Sequence, residues 1–382
     1  MSHTPLTSSP HPLPPTTEGE RALWLRLLRS RRVGIATFYR LLQEHGSAEA
    51  ALVALPGIAA AAGVESYEIC PESVVRAELN AARKLGAVML CIGDPAYPRQ
   101  LKDLPDAPPI LWALGDLSLL TRPMVSLVGA RNASSLGLRM ARKLGQELAA
   151  ANYVVVSGLA RGIDTAAHEG AMDHGTIAVI GGGLDTFYPP ENTELQKRIA
   201  QSGLLLSETP MGMQATARHF PARNRIIAAL SSAIVVTEAA AKSGSLITAR
   251  NALDLGREVL AVPGHPMDAR AAGCNMLLRD GATLIRHAED VIEALGPLHT
   301  PDLPLQEPPA PPPSPPKDKR SRKETFALHK LILNRLGPAP LAEDQLIRDV
   351  KAKASEVAPA LLDLELDGQI ERQTGGLLSR RA

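Results

Sequence analysis

The segment YVVVSGLARGIDTAAHEGAMDHGTIAVIGGG, residues 153–183, decides the fold. Two short β-branched runs, each followed by glycine, enclose a stretch with a helical pattern. Similar runs (AVMLCI, MVSLVGA, AIVVTEA, EVLAVPG and ATLIR) recur between residues 87 and 296, most of them separated by helical patterns. Continuous apolar strands that alternate with helices are typical of a parallel sheet covered on both faces. We therefore predict an α/β domain, an extended Rossmann-like doubly wound sheet, over residues 87–296.

The other segments differ in composition. Residues 1–17 are rich in proline, serine and threonine and predict a disordered tail, and residues 18–86 predict a small helical domain, SAM-like or helix-hairpin-helix-like. Glycine turns are predicted at residues 31–35 and 55–58. Either their backbone amides bind a phosphate backbone, or the turns only connect helices that pack together. Residues 297–323 form a proline-rich linker with a basic run. Residues 324–382 predict a winged helix, in which Gly375-Gly376 turns a hairpin.

Overall composition excludes several classes of protein. The net charge is +1 and hydrophobic residues make up 45% of the 382 residues, so any nucleic-acid surface must come from local clustering. Cys70, Cys91 and Cys274 are scattered, which argues against disulfides and a zinc site and fits a cytoplasmic protein. We expect no membrane segment, because the most apolar stretch, residues 50–64, is too short to span a bilayer.

The first candidate loop joins glycine to groups that attract anions. Gly129 and Arg131 follow the run MVSLV, and Ser134-Ser135 precedes the next helical pattern. Free amides and the dipole at a helix start attract an anion, and a guanidinium suits phosphate. The alternative is a capped helix start with a solvated arginine.

Two more glycine turns follow the strands of the opening segment. Ser157 and Gly158 begin the first, and Asp164 and His168 lie one helical turn apart behind it. Such a pair can form a metal site or an acid–base couple, but Asp at a helix start is more often a cap with His as its partner. We favour the structural interpretation. Glycines 181–183 either let a ligand lie against the backbone or serve a tight loop.

The fourth candidate site flanks the run AIVV. Arg223, Asn224 and Arg225 precede this strand, and Ser243 and Gly244 follow it before a helical pattern. Two guanidiniums beside a Gly-Ser helix start on the same sheet edge predict an anion site.

Missing motifs limit the chemistry of these loops. The sequence has no G-x-x-x-x-G-K-[ST], no G-x-G-x-x-G with a following acid, no G-x-S-x-G and no H-E-x-x-H. We therefore predict an anion holder with no catalytic residue, no metal and no cofactor. A row of such sites suits a polymer of phosphates, held with little sequence preference and strong salt dependence.

The order of many short motifs resembles the DNA-processing protein A (DprA/Smf) family. The matching motifs include Tyr97-Pro98-Arg99-Gln100-Leu101, Gly129-Ala130-Arg131, Gly162-Ile163-Asp164, Gly183-Leu184-Asp185, Phe220-Pro221, Arg223-Asn224-Arg225 and Ser243-Gly244-Ser245-Leu246-Ile247-Thr248. The resemblance implies a non-catalytic protein of natural transformation that binds and protects single-stranded DNA, loads the RecA recombinase and forms a homodimer through its Rossmann domain. It assigns the DNA pocket to Gly129, Arg131, Ser157, Gly158, Arg223, Asn224, Arg225, Ser243 and Gly244.

One departure from the family pattern and one rival function stay open. Some members place a phosphate-binding lysine after Tyr-Pro, whereas this chain has Pro190-Glu191, and Lys197 or Arg198 is the candidate substitute. The rival is a nucleotide phosphoribohydrolase of related fold, which needs a carboxylate near its phosphate loop. Glu238 is the nearby candidate for that role.

Overall fold

A computed structural model of the chain describes residues 14–296, 322–337, 339–373 and 377–380. The chain divides into two compact units after His299. Most of the predicted tail and linker lies outside the described residues.

The first unit begins with four helices: α1 (Glu18–Arg29), α2 (Ile35–His45), α3 (Ala48–Ala61) and α4 (Glu72–Leu85). The Thr17 side chain caps α1 by accepting a hydrogen bond from the Glu20 amide, and the Glu20 carboxylate accepts one from the Thr17 amide. The turn predicted at residues 31–35 is confirmed between α1 and α2.

The second predicted turn, at residues 55–58, is wrong. Pro56 and Gly57 lie inside α3, which is capped by Ser47 and buries its apolar face at Ala51, Leu52, Leu55 and Ala59. Packing of this face overrides the local preference of Pro-Gly for a turn. These backbone amides therefore belong to a helix and do not form a phosphate-binding hairpin.

A nine-stranded sheet forms the centre of the first unit. Its strands are β1 (Val88–Cys91), β2 (Ile110–Gly115), β3 (Met124–Val128), β4 (Val154–Ser157), β5 (Thr176–Val179), β6 (Leu204–Ser207), β7 (Ala233–Val236), β8 (Glu258–Ala261) and β9 (Thr283–Leu284). Their spatial order is β1-β2-β6-β5-β4-β3-β7-β8-β9. Pairing is parallel from β6 to β9, whereas β1 with β2 and β2 with β6 pair antiparallel.

The predicted doubly wound sheet is confirmed, with an antiparallel edge that the strand runs did not reveal. Strands β2 and β6 are not among the apolar runs from which strands were predicted. Seven helices follow or separate the strands: α5 (Ser135–Ala150), α6 (Ile163–Ala171), α7 (Thr193–Ser202), α8 (His219–Leu230), α9 (Ser245–Asp254), α10 (Ala272–Arg279) and α11 (Ala288–Leu295). The chain builds outward from β3 through β4, β5 and β6, then returns to β7 on the other side of β3. The boundary between β3 and β7 is thus the switch point, where ligands of such sheets bind.

The four N-terminal helices share one apolar core with the sheet. Trp24 and Phe38 belong to the same buried cluster as Trp112 of β2. Glu78 of α4 accepts hydrogen bonds from Arg29 (2.9 Å and 2.8 Å) and from the indole N–H of Trp112 (2.9 Å). Both charges are mostly buried, so the carboxylate depends on these partners.

The second unit is a winged helix. It contains α12 (Arg322–Arg335), β10 (Leu341–Ala342), α13 (Glu343–Val350), α14 (Ala354–Leu366), β11 (Ile370–Gln373) and β12 (Leu377–Arg380), with strand order β10-β12-β11. Its own core includes Ile332, Leu346, Val357, Leu361 and Leu378. The antiparallel pairing of β11 with β12 confirms the predicted hairpin. The turn at Gly375-Gly376 lies outside the described residues.

Candidate nucleic-acid interface

A cavity of about 890 Å³ opens at the carboxyl ends of β3 and β7, at the switch point of the sheet. Residues 128–132, helix α8 and the first turn of α9 line it. A much smaller cavity of about 30 Å³ adjoins it over the ends of β4 and β5 and shares Arg131, Tyr188, Phe220 and Arg223 with it.

The large cavity is cationic. Its described lining includes the side chains of Arg131, Arg223, Lys242 and Arg270, and the single carboxylate of Asp164. Four positive charges around one negative charge favour an anionic ligand, because low-dielectric walls strengthen their field inside a cleft.

Arg223 is the least ordinary of these cations. It is 5% exposed, lines both cavities, and its Nε has no hydrogen-bond partner among the described residues. Burial lowers the pKa of Arg223 to about 10, and the charge of nearby Asp164 opposes this. The guanidinium therefore stays charged at neutral pH. A buried, incompletely paired cation is costly, and an anionic ligand would supply the missing partner.

Gly158 makes room for this guanidinium. A Cβ at residue 158 would overlap Nη1 of Arg223, so glycine is required for the arginine to lie against the β4–α6 turn. Asp164 accepts hydrogen bonds from the amides of Gly158 (3.1 Å) and Ala160 (3.3 Å) and holds that turn. Burial raises the pKa of Asp164, and the positive charge of Arg223 opposes the rise.

His168 also holds this turn and is fully buried. Its Nε2 accepts a hydrogen bond from the Leu159 amide (3.3 Å), and its Nδ1 lies 2.7 Å from Oγ1 of Thr176. Thr176 donates its hydroxyl proton to the Val155 carbonyl, so Nδ1 of His168 must be the donor in their bond. The network assigns a neutral histidine protonated at Nδ1. Asp164 and His168 thus have structural roles, as favoured from the sequence, but the predicted cap and its partner are wrong: Asp164 does not cap α6, and His168 bonds Leu159 and Thr176 instead of Asp164.

A pH effect on stability follows from His168. Burial, and secondarily the charge of Arg223, lowers the pKa of His168 from 6.5 to about 3. Below pH 6.5 the unfolded chain takes up a proton that the folded chain refuses, so stability falls by up to about 1.4 kcal/mol per pH unit between these two values. Urea unfolding at pH 7.5 and 5.5 should show a smaller difference for His168→Gln than for the wild type. The exposed control His174→Gln should keep the wild-type difference, and equal pH slopes for all three proteins would contradict this role.

A carboxylate of the protein occupies the anion site that was predicted at the start of α5. Glu238, just beyond β7, accepts hydrogen bonds from the amide (2.9 Å) and the hydroxyl of Ser134, and a Cβ at Gly137 would clash with its carboxylate. Ser134 caps α5 as expected, accepting from the Gly137 amide at 3.0 Å. An external phosphate therefore does not replace this carboxylate at the helix start, and the expectation of a free anion seat there is corrected.

Two aromatic rings line the cavity beside Arg131. The guanidinium carbon of Arg131 lies 5.1 Å from the centroid of the Phe220 ring, and the Phe220 and Tyr188 rings are 5.4 Å apart. Tyr188 is 44% exposed, so part of its ring is open to a ligand. Aromatic faces and guanidinium planes are the surfaces on which unpaired bases stack.

Seven of the nine predicted site residues line the two cavities, whereas Ser157 and Arg225 do not. Gly129, Arg131, Arg223, Asn224, Ser243 and Gly244 line the large cavity, and Gly158 lines the small one. A Cβ at Gly244 would have no atom within 4 Å, so the backbone there is open to a ligand. A Cβ at Gly129 would clash with Ile163 and with the Glu238 carbonyl, so this glycine serves packing. Ser157 is fully buried and donates to the Leu127 carbonyl at 2.6 Å.

Arg225 is the second residue that does not reach the cavity lining. It forms ion pairs with Asp106 (2.8 Å) and Glu208 (2.7 Å). Arg131 and Arg225 therefore do not face one groove, in contrast to the sequence-based expectation. Arg225 points away from the cavity that Arg223 lines because side chains two positions apart on a helix are about 200° apart around its axis.

Two cavity cations were missed by the sequence analysis. Lys242 directly precedes Ser243-Gly244, so its position beside that loop was a usable signal. Arg270 comes from the segment after β8 and carries no local signal. Lys197, a candidate substitute for the missing lysine, pairs with Glu194 (2.7 Å) and lies outside the described lining of both cavities.

Family models match three consecutive parts of the chain. Residues 88–296 match DNA recombination-mediator protein A, residues 18–81 a DprA-like N-terminal HHH domain, and residues 307–376 a DprA winged helix domain. The chain belongs to the DprA/Smf family. The resemblance inferred from the ordered motifs is thus confirmed.

Individual DprA/Smf relatives agree with this assignment. Protein Smf of Synechocystis is 34% identical over 95% of this chain and 99% of its own length. The DNA processing protein DprA of Streptococcus pneumoniae is 47% identical over 52% of this chain and 71% of its own length. An X-ray structure of S. pneumoniae DprA covers 68% of this chain and 98% of its own chain, with a TM-score of 0.54 and 36% identity.

A second solved DprA structure comes from Helicobacter pylori and was described for its single-stranded DNA binding mode. It is 33% identical, covers 55% of this chain and 95% of its own, and has a TM-score of 0.51. None of the helices in the described residues has the length and apolar character needed to span a bilayer. In the same residues, no group of three or more His, Cys, Asp or Glu side chains is placed to hold a metal ion.

Proposed function

We propose that this protein binds single-stranded DNA, without sequence preference and without cleaving it, as a mediator of recombination. The observation that carries the proposal is the buried guanidinium of Arg223, whose Nε lacks a partner among the described residues, at the base of a cationic cavity. Membership of a family described as DNA recombination mediators supports the same function.

The shape of the site favours a single strand over a duplex. Arg223 and the rings of Phe220 and Tyr188 line the large cavity. In a duplex the bases are stacked on each other and can reach these rings only by being flipped out, which costs a few kcal/mol, whereas an unpaired base can stack on them directly. Arg131, Lys242 and Arg270 would then neutralise phosphates, a contact that carries no sequence information.

The carboxylate that a phosphoribohydrolase would need is not free here. Glu238 is bound to Ser134 at the start of α5, and the first two turns of α9 (residues 245–251) contain no acidic residue. Binding without hydrolysis is therefore the better-supported function. Incubation with nucleoside monophosphates is expected to release no free base, and release of base would favour the enzyme.

The proposal has three further parts, which the family assignment supports. They are RecA loading in natural transformation, a homodimer through the Rossmann domain and a cytoplasmic location. Addition of the protein to single-stranded DNA coated with SSB is expected to restore RecA ATPase activity.

Light scattering of the full chain is expected to give twice the mass of the monomer. A failure of either test would remove that part of the proposal alone.

Fluorescence anisotropy with a labelled single-stranded oligonucleotide and its duplex, at two salt concentrations, tests the central function. We expect tighter binding of the single strand and a clear loss of affinity at the higher salt concentration, because counterions are released from the phosphates. Equal affinity for the two DNAs, or binding indifferent to salt, would count against the proposal.

The double variant Lys242→Ala/Arg270→Ala is expected to flatten the salt dependence. If each side chain neutralises one phosphate, the slope of log Kd against log salt falls by about 1.4, taking about 0.7 per phosphate for single strands. The same titration of Arg76→Ala, an exposed arginine on α4, serves as control and should keep the wild-type slope. A wild-type slope in the double variant would remove both residues from the DNA contact.

Deletion of residues 324–382 is expected to spare single-strand binding, because every described cavity residue belongs to the first unit. Helix α14, which precedes the wing, carries Glu356, Asp363 and Glu365, and their charge opposes contact with phosphate. Anisotropy titration of the shortened chain should give an affinity close to that of the full chain. Loss of binding in the folded deletion variant would transfer the main DNA surface to the winged helix.

A further inference from the structure

Arg225 is the mostly buried centre of an ion cluster on the side of α8 that faces away from the cavity. Its side chain is 13% exposed, and its Nε and Nη2 lie 2.8 Å and 2.7 Å from the carboxylates of Asp106 and Glu208. Asp106 belongs to the segment before β2, and Glu208 directly follows β6. The arginine thus ties α8 to two separate parts of the sheet framework.

The N-terminal helices contact the same segment. The hydroxyl of Tyr39, on α2, donates a hydrogen bond to the carbonyl of Ala107 (2.9 Å), the residue after Asp106. Burial raises the pKa of Tyr39, and the charge of Arg225 opposes the rise, so the phenol stays protonated and donates. A chain of direct contacts therefore runs from α2 through residues 106–107 to Arg225 on α8.

The neighbours of Arg225 on α8 are cavity residues. Arg223 and Asn224 line the cavity, and the guanidinium of Arg223 fits against Gly158 with no space to spare. A small rotation of α8 about its axis would withdraw both side chains from their positions. A charge-assisted hydrogen bond to Glu208 and an ion pair with Asp106 oppose such a rotation, and the two contacts together set the direction of the guanidinium plane.

We propose that Arg225 is a positioning residue that couples the N-terminal helical domain to the DNA cavity by fixing the rotation of α8. It does not touch DNA. This inference rests on the proposed function of the cavity and assigns to the Asp106–Arg225–Glu208 cluster the role of holding Arg223 and Asn224 in place.

Removing one carboxylate gives a test whose sign depends on the role of Arg225. If Arg225 contacted DNA, Asp106→Asn would strengthen binding, because it removes a negative charge near a polyanion. If Arg225 positions α8, the same variant weakens binding by about tenfold, or about 1.4 kcal/mol, while the salt slope stays at the wild-type value. Asp106 is 52% exposed, so its replacement by an isosteric amide should leave the protein folded.

Two more variants of the full chain complete the test. Arg225→Lys keeps the charge but lacks the planar fork, and we expect the same weakening as for Asp106→Asn. Tyr39→Phe removes one hydroxyl in the N-terminal domain, more remote from α8, and we expect a smaller loss of affinity in the same direction. Unchanged affinity in Tyr39→Phe would restrict the coupling to the ion cluster and overturn the part of the inference that involves the N-terminal domain.

Asp103→Asn is the matched control. Asp103 lies in the same segment and pairs with Arg257 (2.9 Å), which precedes β8 and is not in the described cavity lining. Its replacement should leave DNA affinity at the wild-type level or slightly above it. If the wild type binds in a salt-sensitive way and Asp106→Asn binds equally well or more tightly, the positioning role is wrong and the proposed function stands. If the wild type does not bind, the proposed function itself fails.

Discussion

Replacement of Arg223 by alanine is expected to weaken single-stranded DNA binding by about a hundredfold. The guanidinium is buried, lines both cavities and has an Nε without a partner among the described residues. Loss of one partner from a buried, hydrogen-bonded charge pair costs about 2–5 kcal/mol, and about 3 kcal/mol corresponds to two orders of magnitude in Kd. Anisotropy titration against the wild type measures the effect.

Arg223→Ala also removes the charge beside Asp164, so its thermal unfolding must be measured in parallel. The exposed Arg76→Ala variant removes the same formal charge from α4 and should bind DNA as the wild type does. A folded Arg223→Ala protein with wild-type affinity would show that the cavity is not where DNA binds.

The second large effect is expected for Gly158→Ala. The added methyl group would occupy the space of the Arg223 guanidinium, which is the flexible end of its side chain and moves away at little cost to the fold. DNA affinity should then fall nearly as far as in Arg223→Ala, although the protein keeps all its charges. Thermal unfolding and anisotropy measured on the same sample separate these two effects.

Gly57→Ala gives the control for this substitution. Gly57 lies inside α3, a Cβ there would meet no atom within 4 Å, and alanine favours a helix by up to about 1 kcal/mol over glycine. This variant should keep its DNA affinity and its melting temperature or gain slightly in stability. If Gly158→Ala behaved in the same way, the close contact between residue 158 and Arg223 would have no functional importance.

The sequence predicted the fold well where its signal is periodic. Continuous apolar runs, most of them ending in glycine or another small residue, identify the parallel strands, since strands buried on both faces need continuous apolar residues. The strands β2 and β6 lie outside this pattern. The first follows Pro108-Pro109 and pairs antiparallel on both sides, and the second consists of four residues directly after α7. Their assignment depends on contacts distant in the sequence.

The sequence predicted the location of the candidate site more accurately than the side chains that line it. The carboxyl ends of β3 and β7 follow from topology, so Gly129 and Ser243 could be placed there. The direction of Arg225 depends on Arg223-Asn224-Arg225 being helical, whereas the sequence analysis treated these residues as a loop. The carboxylate of Glu238 at the start of α5, and Arg270 in the cavity lining, result from tertiary contacts that no local motif encodes.

The apolar interior that α1 and α2 share with β2 has a consequence for how such proteins can be rearranged. Trp24, Phe38 and Trp112 fill one common volume, and Glu78 is bound from both sides of the boundary. Excising the N-terminal helices would expose apolar surface on the sheet and leave the indole N–H of Trp112 without the Glu78 carboxylate that accepts its hydrogen bond. The N-terminal helices are therefore not an interchangeable part: grafting them from a distant relative requires the matching strand β2 to be transplanted with them.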